Sequence, residues 1–337
     1  MLVILSFLVS LAFAQNGYLP DKPPVPKNNK QTKEKIELGQ MLFMDPRLSY
    51  DGSISCNSCH NVMNGGSDNR SVSVGVNGHK GGRSAGTVFN SAFYSVQFWD
   101  GRANSLEDQA KGPLTNPIEM GNKNHKQVVE RLKKIPGYVK LFKKVFGGKK
   151  SLNIDNVAKA IASYERTLVT PNSPYDRFMK GDKKALGVNA QKGMELFGSI
   201  GCASCHSGPN FSGPTLPEGT GFFMKFPTFD KTAYDKKYKF TEDKGRYEVT
   251  KNKSDMYMFR VPTLRNIALT APYFHNGKVL TLDEAVKVMA KTQLNKDLKN
   301  DEVKALVAFL NSLSGTIPKQ SMPVLPSTEG HVVVDPK

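Results

Sequence analysis

Cys56-Asn57-Ser58-Cys59-His60 and Cys202-Ala203-Ser204-Cys205-His206 carry the same Cys-x-x-Cys-His pattern, and together they contain all 4 cysteines of the chain. This pattern is typical of covalent attachment of a c-type haem, in which two thiols add to the porphyrin vinyl groups and the histidine becomes an iron ligand. The thioether bonds hold the porphyrin over the same turn that presents the imidazole. The two copies therefore predict two covalently bound haem c groups, with His60 and His206 as iron ligands.

Other uses of the cysteines explain less of the pattern. Short-loop disulfides, a thioredoxin-like redox pair and a zinc site built from two Cys-x-x-Cys knuckles are the alternatives. None of them accounts for a histidine directly after both pairs. A zinc ion would also have to join two knuckles that lie far apart in the sequence.

The composition indicates a folded, basic protein. The chain has 337 residues, 39% of them hydrophobic, which is enough for about two domains with proper cores. Its net charge is +17, but it has no nucleic-acid motif and no dense basic run, so we expect no nucleic-acid partner. The charge favours steering of a small acidic electron donor, or it reflects a generally basic surface.

The beginning of the chain resembles a secretory signal peptide. Residues 1–14 form an apolar run that ends in the small-x-small sequence Ala12-Phe13-Ala14, although the usual positively charged start is missing. The run is too short for a comfortable transmembrane helix. Because this type of haem attachment belongs to exported compartments in bacteria, we expect a periplasmic protein.

An imperfect repeat divides the chain. Gly39-Gln40-Met41-Leu42-Phe43 precedes the first haem motif and Gly193-Met194-Glu195-Leu196-Phe197 precedes the second, and each predicts a short helix whose Leu-Phe pair lies near a haem edge. The fold class that follows is mainly α, with two cytochrome c-like domains and long irregular loops. The predicted segments are an N-terminal domain at 19–168, a C-terminal domain at 169–315 and a Pro-punctuated irregular strap at 316–337.

Apolar spacing predicts three further helices. The first two have apolar residues at helical intervals, and the third begins with a capping box at Thr281-Leu282-Asp283-Glu284 and continues through Val286 and Met289. In contrast, residues 207–260 are rich in Gly, Pro and aromatic residues, which predicts a long loop that carries function or wraps a cofactor. The apolar positions are Ile154, Val157, Ala158, Ile161 and Leu168 in the first helix, and Val303, Leu306, Val307, Leu310 and Leu313 in the second, with Asn300 or Asp301 as its N-cap.

Several motifs give the chain a resemblance to the bacterial di-haem cytochrome c peroxidases, over nearly its whole length. They lie before, between and after the two haem motifs, in the same order as in that family. The motifs are Asp45-Pro46-Arg47-Leu48-Ser49, Phe98-Trp99-Asp100-Gly101-Arg102-Ala103, Gln109-Ala110-Lys111-Gly112-Pro113, Asn116-Pro117-Ile118-Glu119-Met120, Thr263-Leu264-Arg265-Asn266 and Thr270-Ala271-Pro272-Tyr273-Phe274-His275.

The resemblance implies an enzyme that reduces hydrogen peroxide to water, for peroxide detoxification, with electrons from a small cytochrome c or cupredoxin. In the family, the N-terminal haem is the low-potential peroxidatic site and the C-terminal haem is the high-potential entry for electrons. Met289 matches the second axial ligand of the C-terminal haem, and a thioether ligand raises haem potential. Glu119 matches the distal acid that moves protons, and Trp99 matches the aromatic residue between the haems. Members of the family are usually homodimers.

Two departures from the family pattern concern metal ligands. Where better-known members have a distal histidine, this chain has Val76, and His79 follows three residues later in a Gly-rich loop. His79 is either a displaced gate ligand or an exposed loop histidine beside an iron that is already open. Ser84 replaces an asparagine that helps to bind an inter-domain Ca²⁺ in relatives, while Thr270 and Pro272, which offer carbonyl oxygens there, remain. Loss of that donor weakens a calcium site.

Two rival functions remain open. A related di-haem maturation oxidase, which modifies tryptophans on a partner protein, has a tyrosine in the place of Met289, so Met289 argues against this function. A di-haem electron carrier without catalysis would keep both irons six-coordinate, and Glu119 in its motif argues against that function.

Overall fold

A computed structural model describes residues 17–334 of the protein. The predicted signal peptide at 1–14 and the last residues of the strap lie outside the described residues. Two short strands, β1 (Phe223–Lys225) and β2 (Met258–Arg260), pair antiparallel, and the other regular elements are helices. The α-helices are α1 (Lys33–Met44), α2 (Cys56–Cys59), α3 (Leu106–Thr115), α4 (His125–Lys133), α5 (Pro136–Phe146), α6 (Ile154–Glu165), α7 (Pro174–Met179), α8 (Val188–Ile200), α9 (Ala233–Tyr238), α10 (Tyr247–Thr250), α11 (Leu282–Leu294) and α12 (Asn300–Asn311).

The N-terminal half is built on a close crossing of α1 and α6. Gly39 lies at this crossing, and a Cβ atom there would collide with the backbone carbonyl of Ala160. The buried residues of the core of this half extend along the chain from Leu38 to Leu168. Glycine in the first copy of the repeat therefore permits the helix contact on which this core is built.

The C-terminal half repeats this arrangement with α8 and α12. Gly193 lies at their crossing, where a Cβ atom would collide with the carbonyl of Ala305. Phe197 packs against Phe309 with 5.2 Å between ring centroids. The predicted mainly helical fold with two cytochrome c-like units is confirmed, and the sequence repeat corresponds to a repeated helix crossing.

Two of the predicted helices have different ends from those expected. α6 ends at Glu165, so Leu168 lies beyond the helix, although it is fully buried in the same core. α12 begins one residue earlier than predicted, because Lys299 is the N-cap and its amide donates to the Glu302 carboxylate at 2.7 Å. Leu313 likewise follows the end of α12.

The capping box predicted for α11 is half formed. Thr281 is the N-cap, and its hydroxyl accepts a hydrogen bond from the Glu284 amide at 3.3 Å. The Glu284 carboxylate does not return to the cap, because it accepts from the Tyr238 hydroxyl at 2.7 Å and pairs with Lys237. A tertiary contact to α9 has replaced the local one.

Residues 207–260 are mostly irregular, as predicted, but they contain β1, β2, α9 and α10. Their aromatic residues Phe226, Phe240 and Phe259 pack against Val288 of α11 in one core cluster. The segment thus forms one wall of the C-terminal half.

Both ends of the described chain cross to the opposite half. Leu19 is fully buried, and its amide donates to Asp176 of α7 at 3.0 Å. Residues 316–334 have no helix or strand and lie over the N-terminal core, where Arg47 donates to the Pro326 carbonyl at 2.8 Å and Val333 packs against that core. No helix within residues 17–334 is long and apolar enough to cross a membrane.

Candidate functional site

Both haem motifs open into one cavity of about 630 Å³ between the two halves. Its lining includes Phe43 from the first copy of the repeat and Phe197 from the second, whereas Leu42 and Leu196 do not line it. Of each Leu-Phe pair that is expected near a haem edge, only the phenylalanine thus reaches the cavity wall. The predicted loop at 207–260 contributes Met224, Phe226, Phe259 and Arg260 to the lining.

The N-terminal motif presents its imidazole from the end of α2. The His60 amide donates to the Cys56 carbonyl at 2.9 Å, and the ring Nδ1 lies 3.0 Å from the Gly86 carbonyl. This contact leaves Nε2 as the nitrogen for a metal. Burial lowers the pKa of His60, which favours the neutral ring that ligates iron.

The C-terminal motif has the same geometry. The His206 amide donates to the Cys202 carbonyl at 3.0 Å, and Nδ1 lies 3.1 Å from the Phe211 carbonyl. Burial lowers the pKa of His206 and raises the pKa of the Cys202 thiol to about 12. Both motifs thus hold the imidazole by its Nδ1 nitrogen, and burial raises the pKa of the first thiol in each.

These residues fit two covalently attached haems. All four cysteines, Cys56, Cys59, Cys202 and Cys205, are free thiols, and all four line the cavity. A carbonyl on Nδ1 fixes the tautomer and orientation of a ligating histidine, and both motifs supply one. The mainly apolar wall suits a porphyrin, whose flat faces are apolar.

Met289 lies on α11, where it is half-buried and lines the cavity. Its helix also carries Val286, which packs in the same cluster as Cys202. Met120 and Met224 line the cavity as well. The position of Met289 therefore suits an axial ligand on the C-terminal side, but proximity to the cavity alone would not distinguish it from two other methionines.

Glu119 follows α3 and is half-buried in the cavity wall. Its Oε1 accepts a hydrogen bond from the Asn116 side chain at 2.9 Å. Burial raises the pKa of the Glu119 carboxyl, while the charge of Arg102 and the Asn116 hydrogen bond act in the opposite direction. Arg102 is stacked on the Phe98 ring at 3.5 Å and paired with Asp100 at 2.8 Å. Arg102 belongs to the motif that contains Trp99, but the sequence alone indicated no role for it.

Trp99 lies where the two halves meet. Its indole Nε1 donates to the Ser84 carbonyl at 2.9 Å, and its own carbonyl accepts from the Arg260 amide at 2.8 Å. Its ring makes an edge contact with His275, with 6.4 Å between centroids. Trp99 is thus held by residues of both halves and lines the cavity that contains both motifs.

His79 is exposed and does not line the cavity. It closes a tight turn in which its amide donates to the Val76 carbonyl at 3.1 Å, and its carbonyl accepts from the Gly75 amide at 2.8 Å. Val76 is buried, and its amide donates to the Glu119 carbonyl at 3.0 Å. The structure therefore does not bring His79 together with His60 and Glu119.

The residues expected to bind calcium lie together at the cavity. Thr270 and Pro272 line it, and so does Ser84, whose carbonyl accepts a hydrogen bond from Trp99 Nε1 at 2.9 Å. Within residues 17–334, no group of three or more His, Cys, Asp and Glu side chains is arranged to hold a metal ion. Calcium binding stays a prediction that rests on backbone carbonyls.

One residue of the cavity wall was missed by sequence analysis. Glu165 ends α6, is 6% exposed and lines the cavity, and its Oε2 has no hydrogen-bond partner among the described residues. It follows Ile161 by four positions, so it lies on the buried face of the helix. A charged residue in line with the apolar stripe was the signal that could have found it.

Comparisons with known proteins agree with this geometry. The family model described as di-haem cytochrome c peroxidase matches residues 33–184, and the one described as cytochrome c matches residues 190–314. The chain is 46% identical to the cytochrome c551 peroxidase of Pseudomonas aeruginosa, over 92% of this chain and 87% of that protein. It is 43% identical to the cytochrome c551 peroxidase of Nitrosomonas europaea, over 96% of this chain and 93% of that protein.

A solved structure supports the same conclusion. The crystal structure of a MauG-like protein associated with microbial copper homeostasis matches with a TM-score of 0.76 and 29% identity, over 88% of this chain and 94% of that one. Three findings lead to one assignment. Both haem motifs line one cavity, a family model matches the first half, and peroxidase relatives match nearly the whole chain. The chain belongs to the di-haem cytochrome c peroxidase family.

Proposed function

We propose that the protein reduces hydrogen peroxide to water at its N-terminal haem site, with electrons that arrive through its C-terminal haem site. The reaction takes up two electrons and two protons for each peroxide and gives two waters. The observation that carries the proposal is the position of Glu119, an acid in the cavity wall of the half that holds Cys56, Cys59 and His60. The peroxidase names of the relatives support the same activity.

The haems, when bound, supply the exchange of electrons at iron, and the chain supplies their attachment and ligands. Cys56 and Cys59 would attach the first haem and Cys202 and Cys205 the second. His60 and His206 would ligate iron through Nε2, because Nδ1 of each ring faces a backbone carbonyl. Met289 would complete the coordination on the C-terminal side, where a thioether ligand keeps the potential high. Residues 19–168 would thus form the peroxidatic unit and residues 169–315 the electron-entry unit.

Glu119 would move protons between the two oxygens of peroxide. Its carboxylate accepts a proton from the first oxygen and donates it to the second, which then leaves as water. Asn116 holds one carboxylate oxygen, so the other is free to face the substrate. Arg102 favours the charged form, which is the form that can accept the first proton.

Trp99 would carry electrons between the two halves. Its ring lies against His275 of the C-terminal half, and its indole nitrogen is tied to Ser84 of the N-terminal half. An aromatic ring fixed in this way provides a short path across the cavity.

His79 would not ligate the N-terminal haem iron in the resting enzyme. Because it is exposed and its turn is closed by two backbone hydrogen bonds, we propose that peroxide reaches the N-terminal site without displacing a histidine. Prior half-reduction would then be unnecessary to open the site.

The wider setting follows the family. We propose export to the periplasm, a homodimer, and a small cytochrome c or cupredoxin as donor, whose acidic surface the net charge of +17 would attract. Calcium, if bound between the halves, would use the carbonyl oxygens of Thr270 and Pro272.

A tryptophan-modifying oxidase is the second candidate, because the matched structure is MauG-like. Met289 argues against it, since a tyrosine stands at that position in those oxidases. A visible spectrum without a methionine-ligated low-spin haem would favour the second candidate.

The test of the proposed function is peroxide-dependent oxidation of a reduced small cytochrome c or cupredoxin by the haem-loaded protein. We expect steady turnover with two donors oxidised per peroxide. Failure to oxidise any reduced donor, even after half-reduction of the enzyme, would contradict the proposal.

A further inference from the structure

Glu165 is a buried acid without a function in the mechanism above. It lies on the wall of the cavity that holds both haem motifs, with its Oε2 buried and unpartnered among the described residues. Leaving a buried polar atom of this kind unpaired is unfavourable, so a proton is a natural partner for this carboxyl.

An ion pair is excluded by the neighbouring contacts. Arg166 is the adjacent cation, but it forms a two-point pair with Glu107 at 2.7 and 2.9 Å. Glu107 also accepts from the Asn29 side chain at 2.6 Å. Because Arg166 is engaged by another carboxylate, Glu165 has no ion-pair partner among residues 17–334.

Glu165 lies beside the N-terminal haem motif. Among the charged groups that raise the pKa of the Cys56 thiol, Glu165 comes first, ahead of Glu119. Cys56 is the first attachment cysteine of this haem. The two acids therefore flank the same motif, one half-buried beside Arg102 and one deeply buried beside a closed ion pair.

The charge of this carboxyl must respond to the charge of its surroundings. A nearby positive charge favours a carboxylate, and loss of that charge favours the protonated acid. Burial already raises the pKa of Glu165 to about 8, and Glu107 adds to this while Arg166 opposes it. The titratable and charged groups around it come from α6 and the elements packed against it. They are Tyr164 on α6 and Arg166 directly after it, Glu107 on α3, Lys35 on α1 and Cys56 on α2. At the far end of α6, His125 on α4 faces Asp155.

We propose that Glu165 is the redox-linked proton site of the N-terminal haem pocket. Its carboxylate binds one proton from solvent when this haem gains an electron, and the acid releases that proton when the electron leaves. The net charge of the N-terminal haem pocket then stays constant. The inference rests on the proposed function in one respect, since the released proton is one of the two that peroxide reduction consumes.

A redox titration of the haem-loaded protein without peroxide tests the inference, followed by visible spectroscopy from mildly acidic to mildly alkaline pH. In the wild type, we expect the midpoint potential of the N-terminal haem to fall as pH rises, with a slope of up to one proton per electron. Glu165→Gln should flatten this slope and leave the C-terminal haem unchanged. Glu165→Asp, which keeps a carboxyl group, should retain the slope.

The matched control is Glu218→Gln, because Glu218 is exposed and lies near the same ion pair but does not line the cavity. It should titrate like the wild type. A wild-type slope in Glu165→Gln, a flat wild-type titration, or a slope that Glu119→Gln removes instead would each overturn the inference. Because no peroxide is present, a Glu165-dependent slope in a protein without peroxidase turnover would refute the proposed function and leave this inference standing.

Discussion

The walls around the two haem motifs differ in chemistry although the motifs share one cavity and one helix arrangement. Among the described residues that line the cavity, both carboxyl side chains, Glu119 and Glu165, come from the N-terminal half. The C-terminal side of the wall includes Met289 on α11 and the aromatic residues Phe226 and Phe259. Acids can move protons, whereas a thioether and aromatic rings exclude water and keep an iron closed.

This difference between the walls is informative because the two halves are otherwise built alike. The crossings at Gly39 and Gly193 are equivalent, and the histidines of both motifs are held in the same way. What distinguishes the two sites is therefore the set of residues added around them. This difference is what we expect if the N-terminal site carries out proton-coupled chemistry and the C-terminal site transfers electrons, as proposed.

The largest effect is expected from removing the acid. Glu119→Gln should lower kcat by about 10²–10⁴-fold, the usual contribution of a general acid–base group. Both haems should remain bound, because Glu119 holds neither motif. Steady-state peroxide-dependent oxidation of a reduced cytochrome c measures the change, with Glu218→Gln as the charge-matched control. Unchanged turnover would remove the chemical distinction between the two sites.

The opposite site is tested by removing the thioether. Met289→Ala should lower the midpoint potential of the C-terminal haem and slow turnover with a reduced donor, while the N-terminal haem spectrum is unaffected. Met224→Ala is the matched control, because Met224 also lines the cavity. If Met224→Ala lowers that potential and Met289→Ala does not, the assignment of the axial ligand is wrong.

Because the two helix crossings are alike, we expect the same loss of stability when the glycine at either crossing is replaced. Gly39→Ala and Gly193→Ala should each lower the free energy of unfolding by about 1–3 kcal/mol, because the added methyl group meets a backbone carbonyl that cannot move alone. Denaturant unfolding of the haem-loaded protein measures this. Gly187→Ala is the control, since its Cβ would meet open space. If neither substitution lowers the free energy of unfolding more than the control does, the helices are not in close contact at these glycines.

Arg102 should set the acid limit of activity. Without its charge, the pKa of Glu119 rises further, so less of the carboxylate that accepts the first proton is present at low pH. Arg102→Gln should therefore move the acidic limb of the kcat/KM profile to higher pH, and Arg102→Lys should restore part of the difference. A pH–rate profile that does not move would exclude this electrostatic role.

The smallest effect is expected at His79. Because it is exposed and lies outside the cavity, His79→Ala should change turnover by no more than about twofold, as for other surface substitutions. Assays of fully oxidised and half-reduced enzyme measure this. A large gain confined to the enzyme that was not reduced first would identify His79 as a gate ligand.

Much of the fold could be predicted from the sequence because it depends on local sequence patterns. The haem motifs, the repeat at Gly39 and Gly193, and the buried stripe of α6 depend on residues close in the chain. The incomplete capping box at Thr281 could not be predicted, because a tertiary contact from Tyr238 to Glu284 competes with the local one.

The site was predictable in part for the same reason. Glu119, Trp99 and Met289 were identified only through motifs of a known family, and the structure places all three on the cavity wall. Glu165 was missed because a charged residue at the end of a helix is usually solvated. Only the packing of α3 against α6, with Arg166 turned toward Glu107, leaves it buried and unpaired.

Electron paramagnetic resonance of the half-reduced protein, before and after addition of cyanide, tests the central asymmetry most directly. With the C-terminal haem reduced and silent, the remaining ferric signal should belong to the His60 haem and should shift on addition of one equivalent of cyanide. A ferric signal that stays six-coordinate and does not respond, or cyanide binding at both haems, would contradict the account.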